Sequence, residues 1–311
     1  MDAATNRRIG WADLPASVRS GVGRILGGEV VAAVSQPGGF SPGTADRVRT
    51  ADGRRAFVKA ASPAVDERCA RLHRREARNA AVLPPGAPVS RLLGCHDDGD
   101  WVALVYADVD GRHPVTPWRA DELAAVQDTL ETMARVLTPA PAGPVRTAAR
   151  SLGPDFAGWH RIAADPPADL DPWVRAHLDE LRAAADAGLA ALTGDTLCHL
   201  DVRADNLLID GAGTVTVVDW PWACRGPAWL DSILLLINVQ LYGGHDTEAL
   251  LRARPCTAGV DPAAVTGVLA GMAGFFLDGA RQPPPPAVPT VRAFQRAQAD
   301  ALLPWLARRL P

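Results

Sequence analysis

Several residues with chemical potential fall close together in one stretch of this sequence. His199, Asp201, Arg203 and Asn206 precede a short apolar run, and Asp219 closes the next apolar run, Val215 to Val218. An aspartate can take the proton of a hydroxyl. An amide oxygen and a second carboxylate are hard oxygen donors of the kind that hold magnesium on phosphate groups. A guanidinium such as that of Arg203 can meet developing phosphoryl charge, with a surface ion pair as its competing role. Together these groups suit phosphoryl transfer to an alcohol.

For the groups to act together the chain must turn back on itself. Asp210-Gly211-Ala212-Gly213, between Leu207-Leu208-Ile209 and Val215 to Val218, is a hairpin signal that returns Asp219 toward Asn206. A further reagent lies far upstream. Of 32 Lys and Arg side chains, Lys59 is the single lysine. The abundance of Ala, Gly, Pro and Arg points to a GC-rich coding bias that favours arginine wherever either cation serves. A lysine that survives it marks a place for a compact point charge on a flexible stem.

The elements that carry these residues follow from periodicity and punctuation. Residues from Pro15 to Leu26 form a short predicted helix. Strands are expected at Val30 to Val34, Asp46 to Thr50, Arg55 to Ala60, Ser90 to Leu93 and Trp101 to Tyr106. The turn-rich Pro37 to Gly43, with Gly39 and Ser41, lies between the first two and could drape backbone N–H groups over phosphates. A charged helix is expected from Ala64 to Leu83, carrying Glu67 and Glu76. Helices are further expected over Asp121 to Leu137, from the Asp171-Pro172 start through Leu192, and over Val291 to Leu306 with Thr290 as cap. The fold class is therefore α+β and bilobal: a small β-rich lobe over 1–108, then a larger helical lobe over 109–311 that contains the catalytic hairpin.

Composition narrows the function classes. The chain of 311 residues is 48% hydrophobic and 22% charged, with a net charge of −3, so it is globular and has no general attraction for nucleic acid. No signal peptide is visible. The greasiest stretch, Ile233 to Ile237, is too short to span a membrane, so no membrane partner is expected. The five cysteines have neither metal-ligand nor redox-motif spacing, which fits reduced thiols and a cytoplasmic location.

The segment from His199 to Trp220 resembles the aminoglycoside phosphotransferase and choline kinase group, which shares the protein-kinase-like fold. The group's pattern is His-x-Asp-x-x-x-x-Asn followed by a strand ending in Asp-Trp, and His199, Asp201, Asn206, Asp219 and Trp220 match it. Gly226-Pro227-Ala228-Trp229-Leu230-Asp231 looks like its downstream Gly-Asp-Pro-x-x-Asp motif without the middle Asp. The resemblance implies Asp201 as catalytic base, Asn206 and Asp219 as magnesium ligands, and His199 and Asp231 as structural braces. It also gives Lys59 a place, on the third strand against the phosphates of ATP or GTP. Its expected partner is Glu76, with Glu67 as the alternative. Tyr106 and Ala107 fall at the hinge, where the nucleotide base is expected.

Only Trp220 to Leu230 separate Asp219 from Asp231, too short a stretch for a peptide-docking platform, so a small hydroxylated acceptor is favoured. Asp155, Asp165, Asp169, Asp171, Asp179, Glu180 and Asp186 form an acidic insert that would attract a polycationic aminoglycoside; a solvated helical surface is the competing reading. Antibiotic phosphorylation leads among the acceptors, followed by an amino alcohol or sugar. A catalytically silent kinase-like binding protein is the rival from another class.

Overall fold

The computed structural model describes residues 9–36, 43–143, 145–285 and 288–310. Its chain groups into two units, Met1–His113 with Asp205–Trp222, and Pro114–Ala204 with Ala223–Pro311.

In the first unit, alternation along the strands decides what faces what. Helix α1 (Ala16–Leu26) ends at Gly27, whose φ of 71° closes the helix in the left-handed region. Strands β1 (Val30–Ser35), β2 (Thr44–Thr50) and β3 (Arg55–Ala61) precede helix α2 (Glu67–Ala80), and β4 (Leu92–Asp97) and β5 (Val102–Ala107) follow it. They make one antiparallel sheet in the order β1-β2-β3-β5-β4. Ala56, Val58 and Ala60 of β3 pack with Val18 and Val22 of α1. The alternate residues, Phe57 and Ala61, pack in the opposite cluster with Cys69 and Ala70 of α2 and with Val102, Leu104 and Tyr106 of β5. Period-two alternation therefore puts Lys59 and Tyr106 on the α2 face of the sheet. Covered on both faces, β5 reads as an unbroken apolar run.

The chain next forms β6 (Gly111–Arg112) and enters the second unit as α3 (Ala120–Val136), α4 (Ala148–Phe156), α5 (Gly158–Ala164), α6 (Pro172–Ala176), α7 (Leu178–Ala190) and β7 (Thr196–Cys198). It returns to the first unit as the hairpin β8 (Leu207–Asp210) and β9 (Val215–Val217). The Asp210 carboxylate accepts from the N–H groups of Ala212 and Thr214, each at 2.9 Å, which sets the turn. The hairpin expected in the second lobe thus packs with the first unit. β8 pairs with β6, and Val217 bridges to Val89. The remaining elements, β10 (Cys224–Gly226), α8 (Leu230–Tyr242), α9 (Thr247–Ala253), α10 (Pro255–Ala258), α11 (Pro262–Ala280) and α12 (Val291–Ala307), complete the second unit.

Two helices differ from expectation. The helix expected from Asp171 through Leu192 breaks at His177, whose φ of −111° leaves the helical region while its ring stacks on Trp173. Among the described residues, α11 is the one helix long and apolar enough to cross a membrane, by length and composition. Its apolarity has a different origin here: it is packed all round inside the second unit, against α4, α5, α7 and α12. At its crossing with α7, a Cβ on Gly188 would lie 2.3 Å from the carbonyl carbon of Gly267, so the two backbones meet directly. Thr290 precedes α12 in helical conformation and makes no side-chain cap. All five cysteines are free thiols, although Cys198 and Cys224 face each other across β7 and β10.

Candidate active site

In the first unit the sheet and α2 bring four of the expected residues into one network. Lys59 Nζ donates to Glu76 Oε1 at 2.9 Å and Oε2 at 3.2 Å, and to Asp219 Oδ1 at 2.6 Å. Glu76, not Glu67, is the partner. Residues 69, 73, 76 and 80 fall on the buried stripe of α2, whereas Glu67 sits in its exposed first turn and pairs with Arg71. Tyr106 adds a fourth member, its hydroxyl donating to Glu76 Oε1 at 2.9 Å.

Burial dominates the electrostatics of this network. Desolvation lowers the affinity of Lys59 for its proton, but the carboxylates of Asp219 and Glu76 more than offset it, so the ammonium is held above its ordinary value. Burial pushes the Glu76 carboxyl up, and the Lys59 charge acts against that push. The Tyr106 hydroxyl is raised well above its ordinary value, by burial first and then by the neighbouring Glu76 charge. It stays a neutral donor.

Asp219 sits at φ 71°, left-handed for a residue with a side chain. Such backbone costs of order 1–3 kcal/mol and persists where the surroundings over-determine it. Here they do. Val218 N–H donates to the Asn206 carbonyl at 3.0 Å, and the buried Trp220 indole donates to the Val217 carbonyl at 3.1 Å. Asn206 ends the 3-10 turn Ala204–Asn206 and is buried.

The Tyr106 side chain is committed to Glu76. The Ala107 N–H donates to the Arg91 carbonyl at 2.8 Å, and the Ala107 carbonyl accepts the Ser90 hydroxyl at 2.7 Å. The residues beyond are pinned by Asp108, which pairs with Arg47 at 3.0 Å and Arg55 at 2.7 Å. Gly39 and Ser41 lie outside the described residues.

In the second unit, the loop after β7 is held by Asp231. Its Oδ2 accepts from His199 N–H at 2.7 Å and its Oδ1 from Leu200 N–H at 3.0 Å. Burial pushes the Asp231 carboxyl up against these donors. Leu200 is left-handed, at φ 70°. The fully buried His199 accepts the Asp201 N–H at Nδ1, 3.1 Å away, which assigns the ring proton to Nε2. Arg203 Nε lies 3.3 Å from Asp201 Oδ1, and its guanidinium lies 5.7 Å from the centre of the Phe294 ring. Asn238 of α8 accepts from Ala204 N–H at 3.3 Å.

The expected residues thus fall into two sets: Lys59, Glu76, Tyr106, Asn206 and Asp219 in the first unit, and His199, Asp201, Arg203 and Asp231 in the second. Among the described residues no three His, Cys, Asp or Glu side chains gather as a metal cage. Asn206 and Asp219 offer one amide oxygen and one carboxylate. That donor set fits magnesium, an oxygen-seeking ion that fills its remaining positions with phosphate and water.

Part of the acidic insert has local partners. Asp165 pairs with Arg281, Asp179 with Arg182, and Asp186 with His160, while Asp171 caps α6. Sequence reading did not single out Asn79, Arg75, Arg47, Asn238 or Phe294. A buried Asn in the apolar stripe of α2 was the one available signal.

A five-stranded antiparallel sheet with a buried Lys–Glu pair, together with a hairpin carrying Asn206 and Asp219, defines a protein-kinase-like phosphotransferase. The sequence matches the model of the phosphotransferase enzyme family over residues 38–265, and the chain belongs to that family. It is a small-molecule phosphotransferase acting on hydroxyl groups.

Solved structures share the fold. An aminoglycoside phosphotransferase from Alicyclobacillus acidocaldarius is 19% identical, covering 89% of this chain and 91% of that one with a TM-score of 0.53. A thermostable mutant of aminoglycoside phosphotransferase APH(4)-Ia, in ternary complex with ADP and hygromycin B, is 16% identical over 92% and 98% at 0.59. Choline kinase LicA from Streptococcus pneumoniae is 14% identical over 94% and 98% at 0.60. No curated protein sequence matches.

Proposed function

We propose that this chain transfers the γ-phosphoryl group of ATP or GTP, with magnesium, to a hydroxyl of a small molecule, and that an antibiotic is the acceptor. The observation that carries the nucleotide reading is the Lys59–Glu76–Asp219 network, a lysine held charged on a sheet beside a strained aspartate. In this reading the first unit, including residues 205–222, serves the nucleotide, and the second serves the acceptor. Lys59 pairs with phosphate oxygens, oriented by Glu76. Asn206 and Asp219 hold magnesium, which when bound neutralises charge on the phosphates. Asp201 orients the acceptor hydroxyl and takes its proton, and Arg203 steadies the Asp201 carboxylate. The backbone around Asp201 is fixed beforehand by Asp231 and His199, so little reorganisation is needed at the moment of reaction.

The acceptor is small, because β10 and the start of α8 occupy the short stretch between Asp219 and Asp231. A related enzyme solved with hygromycin B supports an antibiotic. The second reading, a metabolic kinase for an amino alcohol or sugar, draws on the ion pairs of Asp165, Asp179 and Asp186, which reduce the charge available to a polycation. Free thiols fit a cytoplasmic setting.

The test is nucleotide binding with and without magnesium, then phosphate transfer from labelled ATP or GTP to panels of hydroxylated antibiotics, amino alcohols and sugars. Transfer to an antibiotic is the expected result. No nucleotide binding under either condition would refute the enzyme reading. Binding without hydrolysis or transfer would support a silent binding protein.

A further inference from the structure

The segment that follows Asp219 is not held by strand pairing. β9 ends at Val217, and the carbonyls of Trp220 and Pro221 take their hydrogen bonds from side chains of α2. Asn79 Nδ2 donates to the Trp220 carbonyl at 2.8 Å and to the Pro221 carbonyl at 3.4 Å. The Arg75 guanidinium also donates to the Pro221 carbonyl and lies 4.5 Å over the Trp222 ring. Both residues flank Glu76 on the same helix, and Asn79, one turn beyond it, shares its buried side.

These contacts close a circuit. Lys59 joins Asp219 to Glu76, α2 joins Glu76 to Asn79 and Arg75, and those two side chains return to the backbone directly after Asp219. Any movement of α2 that withdraws Glu76 from Lys59 also releases the carbonyls that follow the left-handed Asp219. We propose that Asn79 and Arg75 are positioning residues of the phosphotransfer reaction, holding Trp220–Trp222, and through it Asp219, in register with the Lys59–Glu76 pair. The consequence is a metal-ligand position assembled before nucleotide arrives, with no separate activating event. This inference rests on the reading of Asp219 as a magnesium ligand.

The experiment measures Mn²⁺ affinity by electron paramagnetic resonance with a non-hydrolysable ATP analogue present. It compares wild type, Asp219→Ala, Asn79→Leu, Arg75→Met and Arg75→Lys, with a melting temperature for each nucleotide-free protein. Asn79→Leu keeps the branched four-atom skeleton and removes the donor, and Arg75→Met keeps the stem and removes the guanidinium. Both should weaken Mn²⁺ binding about 10- to 100-fold, the usual cost of losing a residue that orients a metal ligand. The melting temperatures should stay near wild type, and slow magnesium-dependent hydrolysis of ATP in the absence of an acceptor should fall. Arg75→Lys, which keeps a cation and a donor, should retain most of the affinity.

Wild-type Mn²⁺ affinity in both Asn79→Leu and Arg75→Met, with binding lost in Asp219→Ala, overturns the positioning role alone. Mn²⁺ binding untouched by Asp219→Ala overturns the metal-ligand reading and this inference with it. A loss of affinity that only parallels a fall in melting temperature also overturns the inference. Should Asn79→Leu fail to fold, Arg75→Met, at a half-buried position, carries the test.

Discussion

Tyr106→Phe isolates the role of one oxygen. The ring is 6% exposed, and phenylalanine keeps its shape and burial, so packing is conserved and only the hydroxyl is lost. That hydroxyl donates to Glu76 Oε1 at 2.9 Å. A hydrogen bond to a charged group contributes about 1.5–3 kcal/mol. Glu76 is not orphaned by the change, because Lys59 still reaches both of its oxygens. The loss therefore belongs at the low end, ~1.5–2 kcal/mol. The assay is urea denaturation followed by circular dichroism, with a fluorescent nucleotide analogue titrated in parallel. The expected result is a lower midpoint of the transition in which the first unit unfolds, with an unchanged m-value and a modest loss of nucleotide affinity through a looser Glu76. A stability change below ~0.5 kcal/mol, together with a large loss of nucleotide affinity, would refute the reasoning. It would show that the residue serves the base directly.

Asp201→Ala should lower transfer about 10²- to 10⁴-fold, the usual contribution of a positioned base, while the same nucleotide titration stays near wild type. Gly188→Ala forces a Cβ to 2.3 Å from Gly267, and the strain should cost about 3 kcal/mol, seen as a lower melting temperature. Glu248 gives a pH-dependent case. Burial raises its carboxyl, but hydrogen bonds from Arg309 and Trp305 outweigh that and hold its pKa below the ordinary 4.5. A depressed folded-state pKa gives stability that is present above the unfolded value and lost as pH falls through the folded one. Glu248→Gln should thus destabilise the protein by about 1–2 kcal/mol at neutral pH. Parallel melts should show the gap to wild type shrinking as the pH drops below 4.5.

The legible parts of this molecule were those written locally. The hairpin turn at Asp210, the helix from Pro15 to Leu26 and the strand from Arg55 to Ala60 follow from residues within a few positions of one another. Lys59 was legible by its rarity, and Glu76 by its place in the helix that follows. What escaped depends on distant partners. Arg281 pairs with Asp165 from 116 positions away, a partner that the charge count along the insert does not show. Tyr106 was legible as a strand residue, one position before the end of β5, but the direction of its hydroxyl is set by Glu76 on another element. The Trp173–His177 stack breaks a helix whose apolar spacing runs on without interruption. α11 shows little periodicity because it is buried on every side, and an all-round apolar helix has no face to read.

The return of residues 205–222 to the first unit has a consequence for biosynthesis. Lys59 and Asp219 are 160 positions apart. At a synthesis rate of about 5–20 residues per second, Asp219 leaves the ribosome roughly 8–30 s after Lys59. During that interval Glu76 is the one of Lys59's two carboxylate partners already synthesised, and β6 precedes its neighbour β8. Half of the second unit's helices among the described residues, α3 through α7, emerge before the first unit can be finished. The first unit is begun first and completed late, so a chain stalled before Asp205 contains Lys59 and Glu76 without the aspartate that joins them.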